Sequence, residues 1–121
     1  MAKGPILLLE DSPDLRVLLE RYLVRAGYDV LTAEDAVEAG RLVVERSPQL
    51  IIADIQLPYM SGDEFVAALR ADPAVRDIPV IFLSVDAKLE AHAKRLGAVA
   101  YFDKSVSAER LVEVVDFYTA G

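Results

Sequence analysis

Apolar positions along the chain fall into two alternating patterns. Five short solid runs rich in branched residues occur at Ile6–Leu9, Val30–Ala33, Leu50–Ala53, Val80–Leu83 and Val99–Phe102. Runs this short, apolar at nearly every position, predict strands buried on both faces of a parallel sheet. Between them lie segments with helical spacing. Leu15, Leu18, Leu19, Tyr22 and Leu23 form an i, i+3, i+4, i+7, i+8 stripe, and Ala36, Ala39, Gly40 and Val43 give a weaker one. Phe65, Ala68 and Leu69 mark a third helix, Leu89, Ala93 and Leu96 a fourth, and Leu111, Val114, Val115 and Tyr118 a fifth.

Local punctuation supports these boundaries. Ser12-Pro13 reads as an N-cap followed by proline at the first helical position. Asp35 to Glu38 and Ser61 to Glu64 have capping-box spacing. Gly27 and Gly97 stand where a left-handed residue ends a helix, and Ser47-Pro48 and Asp72-Pro73 close the second and third helices. Five strands alternating with five helices predict one α/β domain, with right-handed crossovers placing helices on both faces of a mostly parallel sheet. No linker, repeat or low-complexity segment interrupts the 121 residues.

Composition narrows the function. Hydrophobic residues make up 54%, enough for a real core, and 20 acidic against 13 basic residues leave a net charge of −7. So acidic a surface repels nucleic-acid backbones and anionic headgroups, so neither nucleic acid nor membrane is an expected partner. No cysteine is present, which excludes a disulfide framework, a thiolate nucleophile and a cysteine zinc site, and is compatible with the cytoplasm. The single histidine, His92, excludes a multi-histidine metal centre; it reads as an ordinary surface residue of the fourth helix and is assigned no chemistry. The start of the chain lacks a secretory apolar segment, and no run approaches the ~20 residues of a membrane span.

In a sheet of this kind ligands bind beyond the carboxyl ends of the strands. The first predicted strand ends in Glu10-Asp11, the third in Asp54, the fourth in Ser84, and the fifth runs into Asp103-Lys104. Parallel strands bring the carboxylates of Glu10, Asp11 and Asp54, the Ser84 hydroxyl and the Lys104 ammonium to one rim, an arrangement that stability alone disfavours. Either a hard divalent cation such as Mg²⁺ neutralises the carboxylates, or one of them stays protonated. The cation also accounts for the lysine and serine, because together they suit a transferred phosphoryl group, with a carboxylate as its nucleophile.

Four pieces carry a family resemblance: Ile6 to Asp11, Ile51 to Gly62, Pro79 to Ser84, and Leu96 to Lys104. In this order and spacing the chain resembles the receiver domain of two-component response regulators, and of the chemotaxis regulators among them, from about Pro5 to Tyr118. The resemblance implies a flavodoxin-like (βα)5 sandwich of strand order 2-1-3-4-5, with residues 1–121 a single receiver domain. It implies that Asp54 is the phosphoacceptor, receiving phosphate from a histidine kinase or histidine phosphotransfer protein. Asp11 would be a direct Mg²⁺ ligand, Glu10 the second acid, and the backbone carbonyl of Gln56 a further ligand, with Mn²⁺ able to stand in for Mg²⁺. Lys104 would contact the phosphoryl oxygens. Ser84 would move toward them, and Tyr101 would turn inward in response, switching the surface of the fourth helix, fifth strand and fifth helix for a downstream protein target or effector domain. Asp14 is expected only to favour the first helical turn. Such a protein is a signalling phosphoacceptor that catalyses its own phosphorylation and dephosphorylation, not a metabolic enzyme, and is a monomer or a phosphorylation-dependent dimer. It would stand alone or form part of a longer protein.

Three departures from the family pattern bear on rate. Ser105 replaces the usual proline after the lysine, where a non-proline cis bond would cost ~2.5–4 kcal/mol. Val85 replaces a usually small residue and is expected to narrow access, and Asp86 is expected to add negative charge at the rim. The alternative function is a receiver-like interaction module that works without phosphorylation. A flavin carrier is disfavoured because Glu10-Asp11-Ser12-Pro13-Asp14 would repel the cofactor phosphate, and an Asp-x-Asp phosphatase because Pro13 occupies its second position.

Overall fold

The computed structural model describes residues 3–119. Strands and helices alternate without exception: β1 (Lys3–Leu9), α1 (Pro13–Arg25), β2 (Tyr28–Ala33), α2 (Ala36–Arg46), β3 (Leu50–Ala53), α3 (Gly62–Arg70), β4 (Val80–Ser84), α4 (Leu89–Leu96), β5 (Ala100–Asp103) and α5 (Ala108–Thr119). Every strand pairing is parallel and the order is β2-β1-β3-β4-β5. The order turns at β1 and β3, so the crevice for a ligand opens beyond their carboxyl ends.

Side chains of successive residues leave opposite faces of a strand, and the runs therefore supply two cores. Leu7, Leu9, Ile51, Ala53, Val80 and Phe82 pack with residues of α2, α3 and α4. Ile6, Leu8, Leu50, Ile52, Ile81 and Leu83 pack with residues of α1 and α5. No helix of the described residues is long and apolar enough to cross a membrane.

Burial on both faces holds for β3 and β4 and for the Ile6–Leu9 run of β1. It fails at the edges. In β5 Tyr101 is exposed and Ala100 and Phe102 are half-buried, and in β2 Val30 and Thr32 are half-buried, because an edge strand has a neighbour on only one side. Two helical stripes also shift. Leu18 is exposed, since at about 100° per residue it flanks the arc set by Leu15, Leu19, Tyr22 and Leu23. In α3 the arc centres on Leu69, so Val66 is fully buried and Ala68 is exposed. Tyr118 is exposed, though its hydroxyl donates to the Val99 carbonyl at 3.0 Å.

The caps hold with altered chemistry. Asp35 accepts from the Glu38 amide at 2.9 Å. Ser61 caps α3 but its hydroxyl donates to the Glu64 carboxylate instead of the backbone, at 2.9 Å. Ser12 caps α1 with no side-chain bond, and the amide of Ser12 donates to the Glu10 carboxylate at 3.0 Å. Gly27 and Gly97 both take positive φ, at 100° and 67°.

Candidate functional site

The sheet register delivers the acids. Leu9 of β1 stands opposite Ala53 of β3, and the pairing continues one residue further, with the Asp54 amide donating to the Leu9 carbonyl at 3.0 Å. On the other side the Glu10 amide donates to the Ala33 carbonyl at 3.1 Å. Glu10 and Asp54 thus leave neighbouring strands at one level. With Asp11 they present carboxylate oxygens that all lie within 4.8 Å of one another. Glu10 and Asp54 are 1% and 2% exposed, while Asp11 faces solvent.

Lys104, just past β5, reaches this cluster. Its Nζ lies 2.6 Å from Asp54 Oδ2 and 3.1 Å from each Glu10 carboxylate oxygen. The described peptides include no cis bond, so the Lys104–Ser105 link is trans and the departure from proline does not keep the ammonium from the acids. Burial alone would lower the Lys104 pKa, but the hydrogen bonds and charges of Asp54 and Glu10 together outweigh it and raise the value. For Glu10 burial dominates and pushes the pKa up, helped by the Asp54 charge and opposed by the Ser12 amide and Lys104.

Three carboxylates against one ammonium leave the ionised cluster two charges short of neutrality. Glu10 Oε1 and Asp54 Oδ2 are buried and share the one Lys104 ammonium, at 3.1 and 2.6 Å. An all-oxygen donor set with two buried under-satisfied oxygens and one exposed carboxylate fits a hard divalent cation.

The loop after β3 is held from below. Asp54 Oδ1 accepts from the Gln56 amide at 3.0 Å, while the Gln56 side chain is exposed. The Gly62 amide donates to the Ile55 carbonyl at 2.8 Å. A Cβ on Gly62 would stand 1.9 Å from the Asp54 carbonyl oxygen, so α3 can start here only with glycine. Between them Tyr59 is 97% exposed with a φ of 70°.

Ser84 is fully buried at the end of β4, opposite Asp103 of β5, and its Oγ accepts from the Asp86 amide at 3.2 Å. The Asp86 carboxylate accepts in turn from the Lys88 amide at 2.7 Å, a local bond in the turn entering α4. Val85 is 58% exposed, directed largely to solvent. Tyr101 stands opposite Phe82 on the half-exposed face of β5, with its hydroxyl against the Glu90 carboxylate of α4. The structure therefore joins Glu10, Asp11, Asp54 and Lys104 directly, sets Ser84 on the same rim, and leaves Tyr101 outside the cluster. Asp14 lies exposed in the first turn of α1. His92 is half-buried rather than an open surface residue, because its Nδ1 lies 3.5 Å from Asp63 of α3 and 3.1 Å from the Arg95 guanidinium.

Two residues of the site carry no assigned role in the sequence alone. Gly62 is one. Arg16 is the other: its Nη1 donates to the Glu10 carbonyl at 2.9 Å. A cation in the first turn of a helix opposes the helix dipole, so its presence there hints at a specific acceptor.

Comparison with known proteins places the chain in a family. The family model of the response regulator receiver domain matches residues 6–116. The polar-differentiation response regulator DivK of Brucella anthropi is 35% identical over 116 residues, covering 93% of this chain and 94% of that protein. The receiver domain of a signal transduction histidine kinase from Syntrophus aciditrophicus superposes with a TM-score of 0.89 at 31% identity, covering 98% of this chain and 91% of that one. The receiver domain of a sensor histidine kinase from Pseudomonas aeruginosa, solved with magnesium in its active-site cleft, shares the fold at 24% identity with a TM-score of 0.88, over 99% of this chain and 100% of that one. The chain belongs to the response regulator receiver domains of two-component signalling.

Proposed function

We propose that this receiver accepts a phosphoryl group on Asp54 from a phosphohistidine of a histidine kinase or histidine phosphotransfer protein, with Mg²⁺ or Mn²⁺ as cofactor. The observation that carries the reading is the buried Asp54 carboxylate, 2.6 Å from Lys104 and within 4.8 Å of Glu10 and Asp11. In the transfer an Asp54 carboxylate oxygen forms a bond to phosphorus as the phosphorus–nitrogen bond breaks. The electron pair leaves with the imidazole nitrogen, which takes up a proton. Lys104 is placed to offset the charge of the incoming phosphoryl oxygens. The cation's ligands would be Glu10, Asp11, Asp54 and the Gln56 backbone carbonyl, and it would supply neutralising charge to the phosphoryl oxygens. Hydrolysis at phosphorus by water, releasing phosphate, regenerates the Asp54 carboxylate.

For output, the Ser84 hydroxyl leaves the Asp86 amide for the phosphoryl group and Tyr101 moves inward from Glu90. The face formed by α4, β5 and α5 then changes its affinity for a downstream protein or for a second copy. Charge and composition suit work in the cytoplasm.

The test is intact mass after incubation with Mg²⁺ and a small phosphodonor such as phosphoramidate. One phosphoryl increment, abolished by Asp54→Asn and by chelation of the metal, is the expected result. No increment from any donor, a cognate kinase included, would overturn the reading in favour of a module that docks without phosphorylation.

A further inference from the structure

We propose that Arg16 is a positioning residue for the acidic pair, holding the loop between β1 and α1 in the form that binds a divalent cation. This rests on the reading of Glu10, Asp11 and Asp54 as a metal site. The Arg16 side chain is only 15% exposed, although it sits in the first turn of α1, where the helix dipole disfavours positive charge. It does not pair with the site carboxylates. Nη1 donates instead to the Glu10 carbonyl at 2.9 Å and makes a long contact of 3.5 Å to the Asp11 carbonyl. Nη2 donates to Glu34, just past β2, at 3.0 Å.

One guanidinium therefore ties α1 to the ends of both β1 and β2. The loop is closed from its other side by the Glu10 carboxylate, which accepts from the Ser12 amide. Asp11 is exposed and depends on this loop for its direction. Groups that orient ligands without touching the metal are worth about 10–100-fold in affinity.

Position and charge make opposite forecasts, and this makes the inference testable. A cation near a metal site repels the metal, so a purely electrostatic Arg16 would weaken binding and its removal would tighten it. A positioning Arg16 strengthens binding and its removal weakens it. Lysine keeps the charge but lacks the planar fork that serves a carbonyl and Glu34 together.

The experiment is calorimetric titration of Mg²⁺ into the full chain at constant ionic strength, with folding checked by circular dichroism. Arg16→Met is expected to weaken Mg²⁺ about tenfold, and Arg16→Lys to weaken it by several fold despite its unchanged charge. Glu34→Gln, which keeps the carbonyl bonds, is expected to stay within about twofold. Phosphoryl uptake by the Arg16 variants should recover toward wild type at saturating Mg²⁺. Unchanged or tighter Mg²⁺ binding by folded Arg16→Met would overturn the proposal. Should that variant not fold, unchanged affinity in Arg16→Lys would do so. Asp11→Asn separates the two levels of the argument. If it too leaves Mg²⁺ affinity unchanged, the metal-site reading fails; if it abolishes binding while the Arg16 variants do not alter it, only the role of Arg16 fails.

Discussion

The two ends of the sheet are built on opposite principles. At the amino end polar groups are matched. The Tyr28 hydroxyl donates to Asp116 at 2.5 Å and lies 2.7 Å from Thr119 Oγ1, tying β2 to the end of α5. Arg70 donates to the carbonyls of Leu96, Arg76 and Ile78 at 2.9, 2.8 and 2.8 Å, joining α3, the approach to β4 and the end of α4. The Gln49 side-chain amide donates to the Gly4 carbonyl at 2.8 Å. At the carboxyl end three carboxylates crowd one ammonium, and two buried oxygens share it. Removing a polar group should therefore destabilise the first end and relieve the second. One end holds the fold and the other holds unspent electrostatic energy for a ligand.

The largest expected effect falls where the acidic end touches the backbone. Gly62→Ala puts a methyl group 1.9 Å from the Asp54 carbonyl oxygen and 2.9 Å from Ile55 Cα, so the chain must move. A loss of about 4 kcal/mol is expected from urea denaturation, with reduced phosphoryl uptake by whatever remains folded. Arg70→Met at the matched end leaves three carbonyls short of a donor and should cost about 3 kcal/mol. Uptake at Asp54 should be unchanged in the same sample, and a loss of uptake would join the two ends that the comparison separates.

Asp54→Asn should act with the other sign. Metal-free, it removes one of three crowded negative charges while Lys104 keeps Glu10, so it should gain about 1 kcal/mol. Added Mg²⁺ should stabilise wild type more than the variant and narrow that gap, as read by thermal denaturation. A destabilised Asp54→Asn would mean that the acids at the carboxyl end hold the fold as the polar groups at the amino end do.

Tyr28→Phe should cost about 1 kcal/mol at neutral pH, and its pH dependence sharpens the point. Burial first, and Asp116 second, raise the Tyr28 pKa above its ordinary value of 10.0. The folded state thus holds the phenol proton more tightly than the unfolded chain does. The stabilisation is complete below pH 10 and is lost as pH rises through the raised folded value. Urea midpoints of wild type and variant should converge above pH 10; a gap that widens there would contradict the assignment.

Much of this was legible before the structure, and the parts that were not have definable reasons. The runs Ile6–Leu9, Leu50–Ala53 and Val80–Leu83 announce interior strands, and the polar residues at their ends then meet wherever parallel pairing takes them. Tyr101 was harder, since a run of apolar letters does not say which strand lies at an edge. The order that makes β5 an edge came from resemblance, not from periodicity. Leu18 and Ala68 were misplaced because a stripe of leucines or alanines does not locate the centre of the buried arc. Gly62 is needed only because α3 begins against the Asp54 backbone, a contact between segments separated by a loop. Arg16 acts on carbonyl oxygens, which every residue has, so no side-chain pattern marks its targets.

The left-handed Tyr59 has a practical consequence. A residue with a Cβ loses roughly 1–2 kcal/mol in that conformation, and a ring that is 97% exposed recovers almost none of it by packing. Glycine would remove the strain at an entropic cost of roughly 0.4–1 kcal/mol. The domain therefore has room for thermal improvement of a few degrees through one replacement, Tyr59→Gly, that leaves the acids, the lysine and both hydrophobic layers as they are.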